Sequence, residues 1–230
     1  MMRTLIALSL ITLTSTTSFA APVVFSTVEF STSAFASAGS ASDGVNEQVS
    51  PPLPVSADAG ASGLSGSASA FGLADTGLLV VATSADGAGE QSDAAATARF
   101  FGTLASTAGG TVNLFVNFDH QLDRTGDASG SLSLLISVSA GSSLLFSQIY
   151  DAQADLLLDF LLPQGSSSFD LTLIGDSSTL DGSAFALGSV EFDLQADDRQ
   201  AVPEPGSLAL SALALAGLSG VRRRRAGGWA

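Results

Sequence analysis

One histidine, no cysteine and 22 carboxylates set the chemistry open to this chain. Any histidine-dependent triad or zinc site has to be built around His120. That residue sits in Asp119-His120-Gln121-Leu122-Asp123, just past a strand-like run, and the context reads as a solvated histidine in an exposed turn. Neither a Gly-x-Ser-x-Gly elbow nor a Gly-x-x-x-x-Gly-Lys loop occurs in the chain. Paired carboxylates remain as a route to glycoside hydrolysis. Against it stands the supply of amphipathic rings, because Trp229 and Tyr150 are the only tryptophan and tyrosine. The 14 phenylalanines mostly fall in strand-like runs and read as core. No catalytic residue is assigned, and the chain reads as a non-enzyme.

Two stretches bring several oxygens together, as a hard cation requires. They are Asp86-Gly87-Ala88-Gly89-Glu90-Gln91-Ser92-Asp93 and the run from Asp119 to Asp127. Neither follows the twelve-residue EF-hand pattern. Turn-forming Asp and Gly account for both without a metal, so no cofactor is assigned and calcium is the alternative.

The charge is lopsided. Twenty-one of the 22 acids lie between residues 21 and 202, with only Arg99, Arg124 and Arg199 opposing them, which leaves −18 on that region. Such a surface repels nucleic acid and anionic headgroups, and it favours solubility outside the cell. Without cysteine there are no disulfides, so stability has to come from packing.

The elements that would position these residues read as β throughout. Val112, Leu114, Val116 and Phe118 alternate with polar or outward residues and share one face of a strand. The same period recurs in Leu132–Val138, Phe169–Leu173 and Val190–Leu194. Val24–Phe30, Leu78–Thr83, Thr97–Leu104 and Leu144–Tyr150 are further strands. Turns are expected at Ser84–Gly87, Ala108–Gly110, Arg124–Asp127 and Leu180–Gly182. Residues 31–76 are small and polar, and they read as an early strand, a loop over 42–60 and a strand near 62–73. Asp155–Leu162 fits either a buried strand or a short helix ended by Pro163. The pattern predicts an all-β fold, an antiparallel β-sandwich of jelly-roll type, over residues 21–196. An acidic spacer follows at 197–202.

Both ends carry signals of a different kind. Met1 to Ala20 has a charge at Arg3, an apolar run from Leu5 to Leu13 and a polar end. Ser18 and Ala20 supply the small residues that a signal peptidase inspects, so residues 1–20 read as a signal peptide cleaved after Ala20. Near the other end, Pro203-Glu204-Pro205-Gly206 precedes an uncharged run from Leu208 to Val221 and then Arg222, Arg223, Arg224 and Arg225. Fourteen helical residues span about 21 Å, short of the roughly 30 Å hydrocarbon core. Starting the helix at Pro205 and letting the arginines snorkel makes it a marginal single transmembrane helix. The arginine cluster would lie in the cytoplasm, with residues 226–230 as a short tail beyond it.

Together, the Pro-Glu-Pro tripeptide, the short apolar helix and the terminal arginine cluster resemble the PEP-CTERM sorting signal of exported Gram-negative proteins. The resemblance covers about residues 202–225, with the sorting signal itself at 203–225. It implies that an exosortase in the membrane recognises Pro203, Glu204 and Pro205 and that the helix and basic tail are then removed. It further implies transient anchoring in the inner membrane, release to the cell surface or extracellular space, and association with exopolysaccharide and biofilm matrix. The expected protein is a structural or adhesive exported one; a secreted hydrolase acting on polysaccharide through two carboxylates is the alternative.

Overall fold

The computed structural model describes residues 24–49, 53–106 and 109–196. The expected signal peptide, sorting signal, apolar helix and tail lie outside the described residues. Ten strands follow in order: β1 (Val24–Ala38), β2 (Ala41–Val49), β3 (Val55–Ser62), β4 (Gly66–Asp75), β5 (Leu78–Ser106), β6 (Gly110–Gly126), β7 (Ser129–Ala140), β8 (Ser143–Tyr150), β9 (Ala154–Leu162) and β10 (Gly165–Ala196). Every ladder is antiparallel, and no helix occurs among the described residues. The expected all-β, antiparallel class is therefore found.

Two strands organise the rest. β5 runs for 29 residues and β10 for 32, where about five or six is usual. Their registers explain the length, because each strand serves two sets of neighbours. Residues 92–106 of β5 pair with residues 165–179 of β10, and the same parts of these strands pair outward with β1 and β7. With β2 beyond β1 and β8 beyond β7, that half reads β2-β1-β5-β10-β7-β8. Residues 78–88 of β5 pair with 181–191 of β10, with β4 and β3 on one side and β6 and β9 on the other. The second half thus reads β3-β4-β5-β10-β6-β9.

The change of neighbours falls at an irregularity. The ladder passes from Ser92 opposite Thr179 to Ala88 opposite Asp181, so Gly89, Glu90 and Gln91 face Leu180 alone. Unequal strand lengths of this kind bend a ladder and increase its twist. Hydrogen bonds hold both strands at the bend: Glu90 Oε2 accepts the Ser65 amide at 2.8 Å, and Asp127 Oδ1 accepts the Asp181 amide at 2.8 Å. Gly182 lies directly opposite Gly126 in the ladder. A Cβ on Gly182 would lie 2.1 Å from the Thr125 carbonyl oxygen, so only glycine lets these backbones approach so closely.

The two halves contribute to one core. Phe100 from the first half and Phe192 from the second stand edge to face with ring centroids 4.8 Å apart. Thr83 Oγ1 and Ser177 Oγ, also from opposite halves, share a buried hydrogen bond of 2.7 Å, which satisfies two hydroxyls that water cannot reach. Side-chain size grades along this core. Phe30, Phe118, Phe169, Leu134, Ile136 and Leu171 are fully buried in one part, while alanines of β1, β3, β4 and β5 fill another. Small residues let backbones close in: a Cβ on Gly72 of β4 would meet the Thr97 carbonyl of β5 at 2.9 Å.

Several expectations need correction. The loop expected over 42–60 is mostly β2 and β3, and β3 alternates buried and exposed at every residue. Alanine at 57, 59 and 61 carries that alternation, but its low hydrophobicity hides the period from a sequence reading. Ser84–Gly87 is not a turn; β5 continues through it into Thr97–Leu104. Leu180–Gly182 is likewise internal to β10, where it forms the irregularity. Of the two readings left open for Asp155–Leu162, the strand is the one found.

Candidate functional site: an acid-rimmed groove

The outward face of β9, β6 and β10 holds a groove of about 700 Å³. Alternation along each strand and the registers between them build it. Phe115 on β6 pairs with Leu157 on β9 and with Asp193 on β10. Two residues along, Asn117 pairs with Asp155 on β9 and Glu191 on β10. Paired residues share a face, so these six form two rows across three strands. Phe115 is 42% exposed and Leu157 60%, so an apolar patch is presented to solvent with carboxylates beside it. At one end Gly77, in the turn between β4 and β5, accepts the Phe192 amide at 2.9 Å and brings Leu78 to the wall.

No described arginine lines the groove. Arg99 donates to Asp170 from Nε at 2.9 Å and pairs with it through Nη2 as well. The hydrogen bond to Asp170 raises the Arg99 pKa above its usual value, against the opposing effect of burial. Arg124 lies toward the far end of β6, opposite Ala184. Among the described residues no side chain donates to Asp155 or Glu191, whereas Gln195 donates to Asp193 at 2.5 Å.

Asp155 and Glu191 flank Asn117 from opposite sides, so their backbones are two strand spacings apart, roughly 10 Å. Carboxyl groups across such a gap leave room for a bound group between them. The exposed Phe115 ring offers a flat apolar surface next to acceptors and the Asn117 amide. That combination suits a ligand with an apolar face and several hydroxyls.

His120 is not in a turn. It lies within β6, opposite Gly188 and half-buried, with its ring 6.0 Å from that of Phe118. It takes no part in the groove. The two expected oxygen-rich loops are likewise strand: Asp86–Asp93 belongs to β5, and Asp119 through Gly126 to β6. Several of their acids bridge to other strands and turns: Glu90 accepts the Ser65 amide, Asp93 accepts Ser178 Oγ at 2.6 Å, and Asp119 accepts Gln153 at 2.7 Å. Among the described residues no group of three or more His, Asp or Glu is placed to hold a metal.

Sequence reasoning missed the groove. Its residues come from positions 115–117, 155–157 and 191–193, and no local motif joins them. The only available signal was alternation itself, with acids between apolar residues in Asp155–Asp159 and Glu191–Asp193. The expected sorting residues, Pro203, Glu204, Pro205 and Arg222–Arg225, lie outside the described residues, as do Ser18 and Ala20.

Comparison with known proteins bears on that terminal stretch. The family model of the PEP-CTERM protein-sorting motif matches residues 201–225. No curated protein matches the chain. Among solved structures, a chain in the structure of the infectious bursal disease virus Gx strain is 9% identical, with 86% of this chain and 74% of that chain covered, at a TM-score of 0.16. A likeness that slight carries no argument about this fold.

Proposed function

We propose that this PEP-CTERM sorting domain-containing protein is a structural or adhesive component of the cell surface or extracellular matrix, delivered there by exosortase processing. The sorting motif at residues 201–225 carries the reading: it implies an exported, exosortase-sorted protein that transits the membrane. Residues 24–196 would then be the part displayed, as a β-sandwich whose two layers are the halves that share β5 and β10. The edge-to-face contact of Phe100 with Phe192, one ring from each half, supports that view of the layers.

The mature domain associates with exopolysaccharide in this reading. The acid-rimmed groove supports it, because Phe115 offers a stacking face and Asp155, Glu191 and Asn117 offer polar partners for hydroxyls. The charge of −18 over residues 21–202 keeps the protein off nucleic acid and dispersed in the medium. Signal peptidase acting at Ser18–Ala20 would complete its processing.

Fractionation of producing cells tests this reading. The protein should be recovered with the exopolysaccharide of normal cells and be held in the membrane fraction when exosortase is deleted. Phe115→Ala should release it from the polysaccharide without altering its export. Recovery of normal protein in the membrane fraction alone would contradict the proposal.

A second reading, hydrolysis of polysaccharide by two acids, is favoured by Asp155 and Glu191 standing across the groove. It requires reducing ends to appear when the protein is incubated with its host's polysaccharide, and to be lost in Asp155→Asn or Glu191→Gln. Binding without new reducing ends would leave the adhesive reading standing alone.

A further inference from the structure

Among the described residues four strands end the ladders: β2 and β8 in one half, β3 and β9 in the other. Each presents a row of backbone donors and acceptors that invites another strand, and charged side chains are the usual means of keeping strands away. Three of the four carry carboxylates: Asp43 and Glu47 on β2, Asp58 on β3, and Asp155 and Asp159 on β9. β8, Ser-Leu-Leu-Phe-Ser-Gln-Ile-Tyr, carries no charge and no proline. Among the described residues it pairs only with β7. Leu144 and Ile149 on it are 65% and 66% exposed, and Leu145 is 41% exposed.

We infer that the β8 edge is a self-association surface and that its occupant is β8 of a second copy of this chain. The row of unpaired backbone groups calls for a strand. The charge distribution selects which one. On a domain as acidic as this, a second copy approaching at β2, β3 or β9 sets carboxylates against carboxylates, which is unfavourable for directly opposed pairs. At β8 it does not. The sequence of β8 also complements itself. An antiparallel pairing centred on Ser147 sets Phe146 opposite Gln148 of the second copy and Ile149 opposite Leu145 of the second copy, the residue that bulges from the β7–β8 ladder with no partner on β7, so exposed apolar residues meet across the seam. Such a pairing is isologous and closes as a two-fold dimer, continuing the β2-β1-β5-β10-β7-β8 order across the interface.

Sedimentation over a range of concentrations tests the inference. The protein is purified in the form its cells export, with detergent present throughout so that no apolar tail contributes. Wild type should associate to a dimer as concentration rises, and backbone amide exchange in β8 should slow in step. Ile149→Glu should abolish the dimer while keeping the thermal midpoint of the monomer. Leu161→Glu, at a residue of the β9 edge that is 73% exposed, should leave the dimer intact. A wild-type monomer at every concentration overturns the inference. So does equal loss of the dimer in both variants. Slowing of β8 exchange only when polysaccharide is added also overturns it, in favour of a glycan at this edge.

Discussion

Replacing Gly182 by alanine should destabilise the domain more than any other glycine-to-alanine change in a short series. Gly182 sits at φ +128°, where a side chain is strained, and its added Cβ would lie 2.1 Å from the Thr125 carbonyl oxygen and 2.9 Å from the Thr125 carbonyl carbon. The opposing atoms are backbone in a paired strand, so they cannot swing aside as a flexible side chain would. The backbone conformation alone costs about 1–3 kcal/mol, and forcing atoms into a packed site costs about 1–3 kcal/mol more. Together these predict a loss of roughly 2–6 kcal/mol, or about 4–24 °C in Tm for a domain of this size. Two controls separate the contributions. Gly165 has φ +114° but nothing within 4 Å of an added Cβ, so Gly165→Ala should cost about 1–3 kcal/mol from conformation alone. Gly60 is in the ordinary extended region and has nothing within 4 Å, so Gly60→Ala should be neutral or stabilise by about 0.4–1 kcal/mol. Urea unfolding followed by circular dichroism ranks the three. If Gly182→Ala costs no more than Gly165→Ala, the close approach of β6 and β10 at the bend is not as described.

Other perturbations reach different parts of the molecule. Phe100 is 3% exposed and its ring meets those of Phe25, Phe30, Phe169 and Phe192; Phe100→Ala should cost about 3–5 kcal/mol in the same unfolding assay, and a cost below 1 kcal/mol would place the ring outside a shared core. Tyr150, the only tyrosine, has its pKa raised by burial. Its folded form therefore holds the proton longer than the unfolded chain does, and its contribution to stability is full below about pH 10 and lost as pH rises through the folded pKa. Phenolate absorbance should titrate above the usual tyrosine range in the native protein, and Tyr150→Phe should flatten the alkaline part of the stability curve.

Alternation made much of the fold legible in the sequence. Val112, Leu114, Val116 and Phe118 announce the inner face of β6, and Leu132–Val138 that of β7, because large apolar residues at period two have few other readings. Where the inner residues are alanines, as in β3, the period was present but its amplitude too low to separate from a loop. The long strands were hidden for another reason. Asp86-Gly87 and Asp181-Gly182 have turn composition, and only the partner strand decides whether such a pair reverses the chain or lets it bend and continue. His120 was misplaced by the same ambiguity, since the polar run after Phe118 is the exposed continuation of β6. The groove depends on register between strands far apart in sequence, which no local pattern encodes. The sorting motif is the opposite case: its tripeptide, apolar run and arginine cluster are contiguous, and the family match at 201–225 falls on the same residues.

The most direct test of the central claim is the intact mass of the protein recovered from the extracellular fraction of its producing cells, compared with that of Glu204→Ala. Sorting by exosortase predicts a wild-type mass lacking Met1–Ala20 and everything beyond the Pro203–Pro205 region, and a Glu204→Ala protein that keeps its tail and stays with the membrane. A full-length tail in both proteins would contradict it and leave residues 205–225 as a permanent anchor.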